Sequence, residues 1–306
     1  MNPAPALPSA DEARPSSAAT SGAVDGESQL TALWTLYVLT LRQHLHGKRW
    51  MVMALLFILP AGLAVLVRAT ALNAHPIELE FILAFMFIPQ ALLPLVALIY
   101  ASGIIRDEQE EQTITYLLVR PIPKWAIYVV KLLATVTTTV LLTVIFTALT
   151  YAVIYIGADA PASQGASRFA KAAAIHGIAI AAYCSLFGLM SLLTKRVLLA
   201  GIVYIAVVEG LLANLPFGIR LLTIIYYTRL LAHRTLTFVG STPDGRVEDF
   251  SGEAWQLDAR ADPILIGHPS NSMALAILLA ASLVCAFLAA WLCTRREFHV
   301  KTPEGD

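Results

Sequence analysis

Side chains that could do chemistry are sparse in this sequence, and the densest group of them is a short acidic run. It holds Asp107, Glu108, Glu110 and Glu111. Asp107 stands where it could cap a helix, with Glu110 three residues on, and carboxylates in a first turn interact favourably with the helix dipole. The acidic run therefore predicts the charged face of a short helix.

The same helix is predicted to have an apolar face. Ile114, Leu117 and Leu118 recur at helical spacing after Thr113, and Pro121 ends the helix. A helix with one charged and one apolar face is suited to dock on a partner protein. An ordinary solvated loop helix explains the same residues, and both interpretations stay open on these residues alone.

No catalytic, cofactor or metal site is predicted. The sequence has no GxxxxGK[ST] phosphate loop, no HExxH zinc pair and no GxSxG nucleophile turn, and its seven histidines are scattered. Cys184, Cys285 and Cys293 lie in apolar runs and suit packing roles, since their spacing matches neither a disulfide framework nor a metal site. An ATP-driven function would therefore need an ATPase from another chain.

Two charged residues stand in or beside long apolar stretches. Glu209 is the one carboxylate identified deep in such a stretch, and no second one is found. Because an acid inside a membrane is costly, ion coupling is one hypothesis for it. The other, which is favoured, is a packing role in which Glu209 is protonated or pairs with an arginine such as Arg220. Lys131 is expected to extend its ammonium group to the inner membrane surface.

Threonines are concentrated in the stretch that follows Lys131. They are Thr135, Thr137, Thr138, Thr139, Thr143 and Thr147. Their hydroxyls could line a translocation path, but hydroxyls and small residues also pack helices together in lipid. Helix packing is the favoured interpretation.

The elements that position these residues are predicted to be membrane-spanning helices. Of 306 residues, 58% are hydrophobic and only 14% are charged, which indicates lipid as the solvent. A helix needs about 20 apolar residues to cross the hydrocarbon core. Six segments meet this length or come close to it: roughly Trp50–Val67, Ile82–Ile104, Leu132–Ile156, Ala172–Leu193, Val197–Leu215 and Met273–Cys293. The predicted fold is an all-α integral membrane protein.

Further segments are predicted to lie outside the bilayer core. Ala32–Leu45 reads as an amphipathic helix on the inner surface, and Phe217–Leu231 as an interfacial or shallow helix, not a seventh span. Residues 1–28 are rich in Pro, Ala and Ser and are expected to form a disordered tail. Residues 297–306 are expected to form a second tail, and the segment between spans five and six is expected to be the larger outer one.

The distribution of Lys and Arg predicts the orientation. With the N-terminus inside, basic residues flank the inner ends of the spans, as at Arg49, Arg106, Lys195 and Arg295. Six spans then place both termini in the cytoplasm. The formal net charge is zero, which argues against a nucleic-acid partner.

The acidic link between spans two and three resembles the signature of type-2 ABC exporter permeases, the membrane subunits that pair with a separate ATP-binding subunit. The matching positions are Glu108–Glu111, Thr113, Leu117–Leu118, Pro121 and Lys131. Gln112 departs from the pattern, because the family usually has glycine there. The six spans, the inner amphipathic helix and the large outer segment also fit the family.

The resemblance implies a six-span permease domain over residues 30–296, located in the plasma membrane, which is the inner membrane of a bacterium. It implies a dimer of identical or different permease chains, and an ATPase subunit that docks on the link and uses the ATP. Transport would follow alternating access. The substrate is not implied.

Two other functions stay open on the sequence. One is a secondary carrier that uses Glu209 for ion coupling and needs no ATPase. The other is a membrane scaffold that transports nothing.

Overall fold

The computed structural model describes residues 21–70, 75–107, 122–158, 161–215, 218–241, 247–249, 251, 254–255 and 268–295. Most of them are helical. The helices are α1 (Ser21–His46), α2 (Arg49–Thr70), α3 (Pro76–Ala101), α4 (Lys124–Tyr155), α5 (Ala162–Leu193), α6 (Val197–Asn214), α7 (Ile224–Thr235) and α8 (Asn271–Arg295). In the described part of the chain, all but α1 and α7 are long and apolar enough to cross a membrane. The predicted six-span, all-α membrane fold is confirmed.

Two of the spans are much longer than the apolar runs that predicted them. α4 and α5 each have 32 residues, or about 48 Å at the rise of an α-helix. The hydrocarbon core is only about 30 Å thick. α4 begins at Lys124 and α5 at Ala162, so each extends beyond the core by polar or mixed turns that a hydropathy window does not count.

α3 and α6 each contain a π-helical stretch, in which backbone N–H groups bond to the carbonyl five residues earlier. These stretches are Glu80–Leu92 and Ile205–Leu211. The first includes Pro89, which lacks the N–H that a regular helix uses. π turns are frequent at functional sites, and each stretch here carries a membrane carboxylate, Glu80 or Glu209.

α5 lies at the centre of the bundle and packs against α3, α4, α7 and α8. Its residues Tyr183 and Phe187 are almost fully buried among α3 and α4 side chains such as Leu93 and Tyr128. Fully burying an aromatic or aliphatic side chain of this size contributes about 1.5–3 kcal/mol relative to leaving it exposed in water. Inside lipid this driving force between helices is weaker, so close packing and hydrogen bonds matter more.

The two faces of the bundle differ. We call the face that holds the start of α2, the end of α3 and the start of α4 the link face, because the link between spans two and three joins it. We call the opposite face the loop face. It holds α7 and a small antiparallel hairpin of β1 (Val239–Ser241) and β2 (Val247–Asp249).

The segment predicted as one interfacial helix, Phe217–Leu231, is instead divided. A 3₁₀ turn over Gly218–Leu222 is followed by extended Thr223, whose hydroxyl accepts a hydrogen bond from the α7 backbone. α7 then packs against α3, α5 and α8. It is covered by protein, because its residues from Ile225 to Ala232 are all buried.

α1 is longer than the predicted amphipathic helix and begins within the segment predicted as a tail. It packs along α4 on the link face. Its buried positions Leu36, Thr40 and His44 recur every fourth residue, while Trp34 and Leu39 are exposed. This single buried stripe is the pattern of a helix that lies against a protein surface.

Candidate functional site

The link between spans two and three is anchored at its first residues. Most of the predicted coupling residues lie outside the described ones: Glu108, Glu110, Glu111, Thr113, Leu117, Leu118 and Pro121. Asp107 is described, and its two carboxylate oxygens accept from Arg49 Nη2 at 2.8 and 2.7 Å. Arg49 is the first residue of α2, so the start of the link is tied to span one.

A second anchor holds the same turn to the other side of the bundle. The Arg106 side chain donates to the backbone carbonyl of Lys195 at 2.6 Å. Lys195 lies in the tight turn between α5 and α6. Two neighbouring link residues therefore connect to the link-face ends of three different spans.

Gly103 lies close against the first anchor. A Cβ at this position would meet the carboxylate of Asp107 and would fall 2.6 Å from Arg49 Nη1. Both groups are the ends of flexible side chains, so a larger residue would shift them at a small cost.

Lys131 is covered by protein at the link-face end of α4. It is only 4% exposed and is enclosed where α1, α2 and α4 meet. His44, Arg49 and Thr135 line the same region. The α1 helix covers the inner end of α4, and its packing could not be read from the local sequence.

Glu209 caps a helix. Its carboxylate accepts from the backbone amides of Ile224 and Ile225 at 3.1 and 3.0 Å and from the Tyr204 hydroxyl at 2.8 Å. The amides are the first two of α7, where the positive end of the helix dipole favours an anion. The arginine suggested as its partner, Arg220, has its guanidinium 5.3 Å from the ring of Tyr226.

A second buried carboxylate was missed. Glu80 is 0% exposed and lies near the loop-face end of α3. It pairs with Arg168 of α5, with 2.5 Å between Nε and Oε2. Hydroxyls of Tyr151 and Tyr155 donate to it at 2.8 and 2.5 Å. The prediction that no second acid lies within the spans is therefore wrong, because the predicted span began at Ile82 and left Glu80 in a loop.

Arg168 extends this cluster to the loop-face segment. Its Nη2 donates to the carbonyl of Thr237 at 3.2 Å, and its guanidinium lies 5.4 Å from the centre of the Phe238 ring. Tyr151 and Tyr155 stand one turn apart on α4 and stack at 5.9 Å. That spacing, followed by an arginine shortly before the next predicted span, is the sequence signal that could have suggested the cluster.

Most threonines of α4 face the protein interior, whereas Thr137 is exposed and accepts a hydrogen bond from Tyr37 of α1. Six of them are 0% exposed: Thr135, Thr138, Thr139, Thr143, Thr147 and Thr150. Thr135, Thr139 and Thr150 donate to carbonyls of their own helix, while Thr147 contacts His176 Nδ1 at 3.3 Å. These contacts suit close packing of α4 on α5.

Comparison with known families gives one match. The sequence model of the family described as "ABC-2 family transporter protein" matches residues 45–213, which is more than half of the chain. The match runs from the end of α1 through the first five spans and includes the link. No curated protein matches the chain.

Proposed function

The chain belongs to the ABC-2 transporter family, and on this basis we propose that it is the permease subunit of an ATP-driven exporter. A separate ATP-binding-cassette subunit would dock on the link between spans two and three and hydrolyse the ATP. Two permease chains, identical or different, would enclose the translocation path. The expected location is the plasma membrane, the inner membrane of a bacterium, with both termini in the cytoplasm.

The observation that carries this proposal is the double anchor of the link. Asp107 is bound to Arg49 at the start of α2, and Arg106 is bound to the turn between α5 and α6. A displacement of the link would therefore pull directly on the ends of three spans. This is the connection that an external motor protein needs in order to move a bundle that has no nucleotide motif of its own.

Three of the spans have largely exposed, apolar surfaces. α2, α6 and α8 are the least buried spans, with 22–28% of their most apolar windows buried. Their outward side chains, such as Leu55, Leu199 and Phe287, are large and apolar. Lipid and a second permease chain are the two surroundings that such faces suit.

Charge reversal on the link tests the docking. In the triple variant Glu108→Lys, Glu110→Lys and Glu111→Lys, an ATP-binding-cassette ATPase should no longer co-purify with the chain, as judged by mass spectrometry. The purified variant should also lack ATP hydrolysis. Glu78→Lys, an acid at the start of α3 on the loop face, is the control and should retain both. Retention of the ATPase by the triple variant would show that the docking site is elsewhere.

A charge swap tests the anchor separately. Asp107→Arg should keep the ATPase bound but lower the ATP hydrolysis that the permease stimulates, and the swap of Arg49→Asp with Asp107→Arg should restore it in part. Both side chains are about one third exposed, at 32% and 37%. Because an exposed pair contributes only about 1 kcal/mol or less, unfolding would not explain the loss.

A secondary carrier is the other candidate, and two buried carboxylates favour it. Both, however, are engaged: Glu209 holds the start of α7, and Glu80 holds Arg168. Purified chain in liposomes distinguishes the two functions. Uptake that is driven by an ion gradient without ATP would show that the chain is a carrier and not an exporter subunit. If the chain transports nothing under either driving force, it is a scaffold.

A further inference from the structure

A cavity of about 650 Å³ lies on the link face, where α1, α2, α4 and the turn after α3 meet. We call it the link-face cavity. Its volume lies in the range of about 300–1,000 Å³ that small-molecule sites occupy. Unlike most such sites, its lining is rich in polar and charged side chains.

Among the described residues that line the cavity, the charges are predominantly positive. Lys48, Arg49 and Lys131 line it, and Asp107, which is bound to Arg49, is the one acid in the described lining. Lys131 is 4% exposed, so its charge acts in a region largely shielded from water. Such shielding strengthens the attraction between a cation and an anion that enters the cavity.

His44 lies in the positive electrostatic potential of these cations, and it carries a polar atom that has no partner among the described residues. Burial, and then the charges of Arg49 and Lys131, lower the pKa of His44 to about 4, so the ring is neutral near pH 7. Its Nδ1 is buried and has no hydrogen-bond partner in the described parts of the chain. A buried polar atom left unpaired is costly, and a polar ligand group in the cavity would satisfy it.

The cavity lies at the depth of lipid headgroups. Trp50, next to Arg49, is 43% exposed, and Trp125, in the first turn of α4, is 50% exposed. Exposed tryptophans mark the boundary between hydrocarbon and headgroups. Basic pockets between spanning helices at this boundary are suited to anionic headgroups.

We propose that the link-face cavity binds the phosphate ester anion of a ligand, with Lys131, Arg49 and Lys48 as its cationic partners and His44 as a neutral one. The depth of the cavity favours the headgroup of an anionic phospholipid over a soluble phosphate compound. This proposal does not rest on an ATPase partner. Asp107 is the one residue that the described lining of the cavity shares with the predicted acidic helix.

Binding to the purified full chain in detergent tests the proposal. Short-chain phosphatidylglycerol and short-chain diacylglycerol, which lacks the phosphate, are titrated separately, and intrinsic tryptophan fluorescence reports binding. We expect saturable binding of phosphatidylglycerol, and about tenfold weaker binding by Lys131→Gln, since one charge-assisted hydrogen bond is lost. Lys48→Gln should also weaken binding, and because Lys48 is exposed this variant is safe from misfolding. Lys195→Gln, an exposed cation on the same face outside the cavity, should bind like the native chain.

Inorganic phosphate and glycerol 3-phosphate form the second arm. If either binds more tightly than phosphatidylglycerol, with the same sensitivity to Lys131→Gln and Lys48→Gln, the phosphate site stands and its ligand is soluble. Tighter binding of phosphatidylglycerol identifies the lipid. Equal binding of both lipids, or native affinity for phosphatidylglycerol in both cavity variants, would overturn the proposal.

Discussion

Removal of the arginine from the buried pair on the loop face should destabilise the protein strongly. Glu80 is fully buried, and Arg168 is its one ionic partner among the described residues. Arg168→Met keeps a long side chain but leaves the carboxylate with two tyrosine donors. Breaking a buried ion pair from one side costs about 3–5 kcal/mol. The hydrogen bond to the Thr237 carbonyl and the cation–π contact with Phe238 are also lost. We therefore expect the free energy of unfolding to fall by roughly 4–6 kcal/mol in total.

Thermal unfolding in detergent, followed with a thiol-reactive fluorophore, measures this loss. The assay uses a Cys285→Ser background, because Cys285 is only partly buried. The remaining cysteines, Cys184 and Cys293, are 0% and 2% exposed, so they react only when the bundle opens. At about 2 °C per kcal/mol for a chain of this size, Arg168→Met should lower the apparent Tm by roughly 8–12 °C. Lys171→Met, one turn further along α5, removes an exposed cation with one bond to the Thr235 carbonyl and should lower it by only about 1–3 °C.

The double variant decides the reason for the loss. Glu80→Gln with Arg168→Met removes the stranded charge, while the oxygen of the new amide could still accept from Tyr151 and Tyr155. It should therefore recover about half of the Tm lost by Arg168→Met alone. If the double variant is no more stable than Arg168→Met, or if Arg168→Met unfolds within about 2 °C of the native chain, the buried pair does not hold the loop face as argued.

Two further predictions concern α6. Glu209→Ala should lower stability by about 1–2 kcal/mol, the usual effect of losing a helix cap, and hydrogen exchange of the first α7 amides should rise most. Slow exchange at those amides in the variant would contradict the capping role. Gly201→Ala should cost about 1–3 kcal/mol, because the new Cβ would meet the buried Leu98 side chain. Gly62→Ala, where nothing lies within 4 Å, should be neutral or slightly stabilising, and equal effects of the two changes on Tm would count against a tight α3–α6 crossing.

The sequence predicts the spans well, because the length of an apolar run is a local property set by the thickness of the bilayer. The amphipathic stripe of α1 is local in the same sense. What these local patterns cannot give is the partner of a polar residue. Glu80 and Arg168 are 88 residues apart, and no pattern within either segment points to the other.

The same reason accounts for the other differences. The partners of Glu209 are backbone amides of a helix that begins after a 3₁₀ turn, and backbone donors have no signature in a sequence. Lys131 stands at the edge of an apolar run, where a lysine usually reaches water. Only the packing of α1 over the end of α4 shows that protein encloses it.

The position of Glu80 also bears on how the chain is assembled during synthesis. Arg168 follows Glu80 by 88 residues, which corresponds to roughly 4–18 s at the rate of translation of about 5–20 residues per second. During that interval α3 has to enter the bilayer while its acid has no counterion. Because Glu80 lies in the first turns of α3, its carboxylate can stay hydrated near the headgroups until α5 is inserted and buries it. An acid at mid-span would be in the hydrocarbon core without a counterion. The position of Glu80 near the end of α3 therefore allows the spans to insert one after another.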